Sequence, residues 1–357
     1  MSTIRAFAPG RLNLIGEHTD YNRGYALPIA LTVGSTAEFD RDPAADTLTV
    51  TSDSRDGQVE IGLSTTPGEI TGWASYIAGC VWALRRSGRP APGGRMRIRS
   101  DVPVGAGLSS SAALECAVLL ALTAGAQVNR HDLAVLAHQA ENDYVGTPTG
   151  LLDQLASLHG QPDTAMLIDF DSLTVDAVRM QLREAELVVI DSNSPHHNSA
   201  GDYAARHRSC VAAAAALGVE SLRQASAEGW RDVPPGELRK RARHVLTENT
   251  RVITAARALA DGDLPTLATA MNQSHFSMRY YFEITIPAID FIVESARLLG
   301  ATGARMTGGG FGGSVVALVP TGAVDTLTAT LPDAVEQAGH PRPTVRTMRA
   351  GAGAHLT

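Results

Sequence analysis

The stretch Pro103-Val104-Gly105-Ala106-Gly107-Leu108-Ser109-Ser110-Ser111-Ala112-Ala113 constrains this chain more than any other. It follows Gly94 to Ser100, where Met96 and Ile98 alternate with Arg95, Arg97 and Arg99, the pattern of a strand with one apolar face. It runs into Leu114 to Leu122, apolar enough to demand a buried helix. A strand, a glycine turn and a helix opening on three serines therefore follow in order. The first turn of a helix has unpaired N–H groups and a partial positive charge. Glycines let that backbone approach a ligand closely, and serine hydroxyls add donors. Such chemistry suits an anion, above all phosphate. A capping run with no ligand has the same pattern, and the stretch alone leaves both readings open.

An absence narrows the phosphate reading. A P-loop needs a lysine directly after its glycines, and a protein kinase needs a strand lysine on the phosphates. The single lysine, Lys240, lies in Arg239-Lys240-Arg241-Ala242-Arg243, so neither architecture fits. Phosphate charge would be met instead by backbone N–H groups, hydroxyls, Mg2+ and arginine. At 357 residues the chain suits two domains. A formal net charge of −7 argues against a nucleic-acid binder, and the basic run at 239–243 reads as a solvated helix face. Cys80, Cys116 and Cys210 show no metal or disulfide spacing and read as reduced thiols, Cys116 as core packing. Met1-Ser2-Thr3-Ile4-Arg5 has no signal-like character, and no apolar run reaches membrane-spanning length. The expectation is a cytoplasmic protein with neither a membrane nor a nucleic-acid partner, as a monomer or a homodimer.

Two further clusters carry chemistry. After a strand start at Ile4 to Ala8, Leu12, Leu14 and Ile15 anchor a segment that Gly16 breaks, and Glu17, His18, Asp20, Tyr21 and Asn22 crowd the loop beyond. That density of hydrogen-bonding groups suits a polyol. A metal held by Glu17, His18 and Asp20, or a merely solvated turn, stays open. Asp153 is a lone acid among leucines, after the turn Gly146-Thr147-Pro148-Thr149-Gly150. It is a helix cap, a general base or the partner of an arginine. Strands are expected at 48–51, 59–63, 165–169, 186–192, 301–306, 314–319 and 344–349. Helices are expected at 72–84, 131–143, 203–217, 236–260, 263–272, 287–299 and 322–338, with the charged segment before 186 crossing between domains. Thr307-Gly308-Gly309-Gly310-Phe311-Gly312-Gly313 is a second glycine turn, where a backbone must approach another loop or a ligand. The tail from Gly351 to Thr357 is expected to fray.

Taken together, three segments resemble one family. Ala8-Pro9-Gly10-Arg11 with Gly16-Glu17-His18-Thr19-Asp20-Tyr21-Asn22 looks like the N-terminal signature of galactokinases. Pro103 to Ala113 is similar to the ATP loop of the wider superfamily of galactokinase, homoserine, mevalonate and phosphomevalonate kinases, and Met306 to Gly313 to its third motif. Ser274-His275, Met278-Arg279 and Pro287 echo the galactokinase C-terminal half.

The resemblance implies an α+β fold of two domains, a ribosomal-protein-S5-like one over 1–184 and a ferredoxin-like one over 185–357, with the active site between them. It implies ATP-dependent phosphorylation of the anomeric hydroxyl of galactose, with Mg2+. Asp153 matches the catalytic base and Arg11 the arginine that stabilises charge during transfer. Glu17, His18, Thr19, Asp20, Gly150, Asp153 and Tyr203 match the sugar-binding set. Gly105, Ala106, Gly107, Leu108, Ser109, Ser110 and Ser111 match the triphosphate loop, and Trp73 an aromatic near the adenine. Ser111 and Glu141 match the Mg2+ ligands. Departures occur in a short arm before Ala8, and at Arg23, Thr149, Leu152, Tyr280 and Phe282. They leave open an anomeric kinase for another sugar, such as N-acetylgalactosamine, arabinose or a uronic acid. A catalytically silent sugar sensor is a second alternative, which the complete Ser109 to Ala113 stretch argues against, and a metal hydrolase using Glu17, His18 and Asp20, active without ATP, is a third.

Overall fold

The computed structural model describes residues 3–103, 105–194 and 199–357, with the side chains of Ser199 and Ala200 left out. Val104, in the first glycine turn, and the first two residues lie outside the described residues. Strand β1 (Ile4–Asn13) runs well past Ala8, because Leu12 continues its buried face. After β2 (Tyr25–Ala26) comes β3 (Pro28–Arg41), which the sequence pattern does not announce. Ile29, Ala30 and Leu31 are buried in succession, so no alternation marks the strand. β4 (Thr47–Ser52) and β5 (Arg55–Gly62) form the expected antiparallel pair.

Helix α1 (Ser75–Arg86) leads to β6 (Gly94–Ser100), where Met96 and Ile98 face the core and the three arginines face solvent. α2 (Ser110–Leu122), α3 (Arg130–Gln139) and α4 (Leu152–His159) complete the helical cover of the sheet. Phe39, Ile77, Val118 and Leu155 belong to the core between them, and Cys116 is packed there. All three cysteines are buried and free. A π turn, Ala140–Val145, replaces the last part of the helix expected over 131–143. The charged stretch before residue 185 does not simply cross over. β7 (Thr164–Asp169) and β8 (Thr174–Arg179) pair there and join β2 in a three-stranded sheet.

In the second half, β9 (Ala185–Asp191) is followed by α5 (Ser199–Ala216), α6 (Glu237–Asp261), α7 (Leu264–Ser277) and α8 (Pro287–Leu298). β10 (Gly303–Thr307), β11 (Ser314–Pro320), α9 (Thr321–Gln337) and β12 (Thr344–Met348) complete it. The four strands form an antiparallel sheet in the order β10-β11-β9-β12. Both of its faces are buried, which is why Leu187 to Ile190 reads as a continuous apolar run. Val188 and Ile190 pack with α5, α8 and α9. Leu187 and Val189 pack with α6, α7 and with Leu12, Leu14, Leu27 and Ile29 of the first half. One apolar layer thus holds the halves together, each buried leucine or valine contributing about 1.5–3 kcal/mol.

Two expectations are corrected here. The basic run at 239–243 is not simply a solvated face. Arg241 is 2% exposed, donates to the carbonyl of Tyr281 at 2.6 Å and pairs with Glu283 at 2.8 Å, while Lys240 pairs with Glu283 at 2.7 Å. The run braces a second π turn, Met278–Phe282, at the end of α7. Nor does the tail fray. Its strand β13 (His355–Leu356) pairs with β1 at the edge of the six-stranded sheet, in the order β13-β1-β3-β6-β4-β5. Gly353 N–H donates to Gly160 at 2.7 Å and Ala354 N–H to Ser157 at 2.9 Å. Among the described residues no helix is long and apolar enough to cross a membrane.

Candidate active site

β1 has an irregular register between Pro9 and Arg11, where the first glycine turn passes over it. The carbonyl of Leu108 accepts from the Arg11 N–H at 3.1 Å, and a Cβ on Gly10 would lie 2.6 Å from that oxygen. A bulge re-aims the side chain beside it. Arg11 points into a cleft of about 430 Å3 lined by both glycine turns, the Glu17–Asp20 loop and the start of α4. There its Nη1 donates to Gly107 at 2.6 Å and its Nη2 pairs with Asp153 at 2.7 Å. The other oxygen of Asp153 accepts from the Ser109 hydroxyl. Gly105 and Gly107 take positive φ, 82° and 69°, which lets the turn fold back over β1. Ala106 is buried beneath the turn, and its carbonyl accepts from Ser314 at 2.6 Å.

Ser110 and Ser111 open α2 and line the same cleft. Glu141, delivered by the π turn, hydrogen-bonds to Ser111 and accepts from Gln154 at 2.8 Å and Thr149 at 3.2 Å. Burial pushes its carboxyl up to about 7, although these bonds pull it down. A hydroxyl and a carboxylate are hard oxygen donors, the set that suits Mg2+, and a cation beside Glu141 would hold it ionised. Among the described residues no group of three or more His, Cys, Asp or Glu is arranged for a metal.

The polar loop folds under the second glycine turn. Glu17 accepts from the Gly308 N–H at 3.1 Å and from the Arg305 guanidinium. His18 is buried and held neutral, its imidazole lowered to about 3 by burial. Its Nε2–H donates to Gly309 at 3.1 Å, so Nδ1 accepts from the Tyr21 hydroxyl at 2.8 Å. Tyr203, from α5, stacks on His18 with ring centroids 4.9 Å apart and hydrogen-bonds to the backbone of Gly150. The Asp20 carboxylate lies where a Cβ on Gly150 would be, so any side chain there would displace it. Burial raises the Asp20 carboxyl to about 6, and the charge of Asp153 adds to the shift.

Four predicted site residues are not among those lining the cleft: Ala106 and Glu141, buried just behind it, and Thr19 and Trp73. Thr19 is fully buried, with its hydroxyl turned to the carbonyls of Gly16 and Tyr25 at 2.8 and 2.7 Å. Trp73 packs against the first core and is not among the cleft residues. Conversely, the sequence reading does not single out Arg305, Glu248 or His244, all fully buried behind the polar loop. For Arg305 the signal is a charge inside the short buried strand Gly303–Thr307, whereas Glu248 and His244 lie in the charged helix α6, where nothing local sets them apart.

Two halves sharing one apolar layer, with a cleft between a serine-opened helix and a second glycine turn, define a small-molecule kinase of the GHMP class. Residues 75–161 match the GHMP kinases N terminal domain and residues 255–337 the GHMP kinases C terminal domain. Residues 2–41 match the galactokinase galactose-binding signature. The chain is 50% identical to a galactokinase of Mycobacterium tuberculosis (strain H37Rv), covering 99% of both chains. It is 38% identical to one of Streptomyces coelicolor, covering 97% of this chain and 92% of that one. The crystal structure of Lactococcus lactis galactokinase complexed with galactose superposes with a TM-score of 0.93 at 31% identity, covering 99% of this chain and 95% of that one. A mevalonate kinase at 16% identity and a TM-score of 0.69 shares the fold. The chain belongs to the galactokinase family, and the expected α+β fold of a sugar kinase is borne out.

Proposed function

We propose that this chain transfers the terminal phosphoryl group of ATP to the anomeric hydroxyl of D-galactose, giving galactose 1-phosphate and ADP. The observation that carries the reading is the Arg11–Asp153 pair at 2.7 Å, set between the helix opened by Ser110 and Ser111 and the loop of Glu17, His18 and Asp20. Phosphoryl transfer asks a protein mainly for positioning and charge neutralisation. Asp153 accepts the proton of the anomeric hydroxyl, and Arg11 offsets charge on the moving group. The turn Gly105 to Ser111 and the first turn of α2 hold the phosphates through N–H groups and hydroxyls. Ser111 and Glu141 would hold Mg2+, which supplies positive charge to the phosphate oxygens when bound. Asp20, Gly150 and Tyr203 face the sugar, with His18 and Glu17 holding the second glycine turn over it. The division at residues 184 and 185 belongs to the same proposal, with β13 returning to the first domain. So does a cytoplasmic location, supported by three buried free thiols.

The test is ADP release in a coupled assay with Mg-ATP and galactose, glucose, 2-deoxygalactose, N-acetylgalactosamine, arabinose or galacturonate. Turnover with galactose and little with glucose is expected. Turnover with another sugar alone would move the substrate, and sugar binding without any turnover would favour a sensor. Asp153→Ala should lower kcat by about two to four orders of magnitude. Near-normal turnover by the folded variant would remove Asp153 as the base.

A further inference from the structure

Both oxygens of Glu17 already have protein partners, Gly308 N–H on one and Arg305 on the other. Arg305 is completely buried and is not among the residues lining the cleft, so its fork works behind the site. Besides Glu17, its Nη1 donates to the Leu14 carbonyl at 3.0 Å and its Nε to the Ser274 hydroxyl at 3.2 Å. The Ser274 hydroxyl in turn donates to Glu248 at 2.5 Å. Glu248 also accepts from the Gly16 N–H at 3.2 Å and pairs with Arg251 at 2.7 Å. Two carboxylates and two guanidinium groups thus form a chain from α6 and α7 through β10 to the polar loop, buried throughout except at the partly exposed Arg251. His244 reinforces it by donating from Nε2 to the Glu17 carbonyl at 3.2 Å.

Such a chain is poorly explained as a source of stability. Buried ion pairs often do no better than apolar residues of the same volume, and their best-attested use is to fix a register. The register fixed here is that of two loops. Glu17 ties Gly308 and His18 ties Gly309, so the second glycine turn and the polar loop are held as one unit. We infer that Arg305 is a positioning residue for the sugar end of the cleft: through Glu17 it fixes the Gly308–Gly310 turn against the loop that carries His18 and Asp20. It thereby sets sugar affinity without touching the sugar. Lysine cannot replace it, because a point charge does not reproduce a fork that serves Leu14, Ser274 and Glu17 together.

The inference rests on the galactokinase reading and is tested by steady-state kinetics of Arg305→Lys and Ser274→Ala, varying galactose and ATP separately and recording thermal melting. For Arg305→Lys the galactose KM should rise about tenfold, as for the loss of one charge-assisted hydrogen bond, while the ATP KM stays within about twofold. Ser274→Ala should move the same constant in the same direction by a smaller factor. An unchanged galactose KM in a folded variant overturns the inference, and so does an equal rise in both KM values. If Arg305→Lys does not fold, Ser274→Ala decides by the same criterion. No turnover of galactose by the unsubstituted protein would overturn the functional reading itself. Normal turnover there with an unmoved galactose KM in the variants overturns the inference alone.

Discussion

Asp20 shows how one residue's surroundings set its chemistry. Its carboxyl is raised to about 6, first by burial and then by the charge of Asp153, with Arg11 and backbone hydrogen bonds pulling the other way. The phenols of Tyr21 and Tyr203 also face it, and both are neutral, since burial pushes each well above its usual range. An ionised Asp20 accepts hydrogen bonds from sugar hydroxyls; a protonated one loses half of that capacity and gains a donor. The galactose KM should therefore rise as pH falls from 7 to 5 and level off once Asp20 is fully protonated. Glu141 titrates near 7, but it faces Ser111 and should act on the ATP KM instead. Asp20→Asn, which cannot titrate, should bind galactose more weakly at pH 7 and show a flat galactose KM across the range. An Asp20→Asn variant with an unchanged galactose KM at pH 7 would show that Asp20 does not read the sugar, and a flat profile beside a raised KM in that variant would place its titration below pH 5.

At the scale of elements, α4 carries Asp153 at one end and is clamped at the other. Ser157 donates to the Pro9 carbonyl at 2.7 Å, which ties α4 to β1 close to Arg11. The tail is bonded to Ser157 and Gly160, and a Cβ on Gly353 would lie 2.6 Å from the Leu158 carbonyl. Gly353→Val should therefore displace α4 and lower kcat, since a shift of about 1 Å in a reacting group costs on the order of a hundredfold. A kcat unchanged beside a lowered melting temperature would make the clamp purely structural. None of this is legible in the sequence, where the tail is a short run of small residues. What is legible is what local pattern dictates: the alternation of β6, the serines at the start of α2, and Asp153 as a charge set in apolar context, while Arg11 stands out only through the family resemblance. β3 is hidden because its first residues are buried in succession. The two π turns and the partners of Glu17 are hidden because contacts remote in sequence decide them. Glu17 itself is recognisable, whereas Arg305 lies 288 positions away.

The whole molecule carries two opposed sets of buried titratable groups, and their balance governs its response to acid. His18 and His244 are lowered to about 3 and about 4, in both cases mainly by burial. Each contributes stability that is present above its unfolded value of 6.5 and is lost as pH falls towards its folded value, by up to about 1.4 kcal/mol per pH unit. Glu141 and Asp20 are raised to about 7 and about 6 and act in the opposite sense. Their contribution is full below 4.5 and 3.8 and is lost as pH rises through the folded values. Other groups join both sides: His138, His159 and His207 are lowered, and Glu17 and Glu115 are raised. Between about pH 6 and 4.5 the two sets offset one another, and stability should change little. As pH falls through 4.5 and then 3.8 the raised carboxyls become protonated in both states and cease to offset. Glu248, lowered to about 2 by Arg251, His244 and Arg305 against its burial, then joins His18 in losing stability. Urea midpoints at pH 6.5, 5.5, 4.5 and 3.5 should give a shallow plateau followed by a steep fall. A steady decline from pH 6.5 downward would mean that Asp20 and Glu141 titrate as ordinary surface acids.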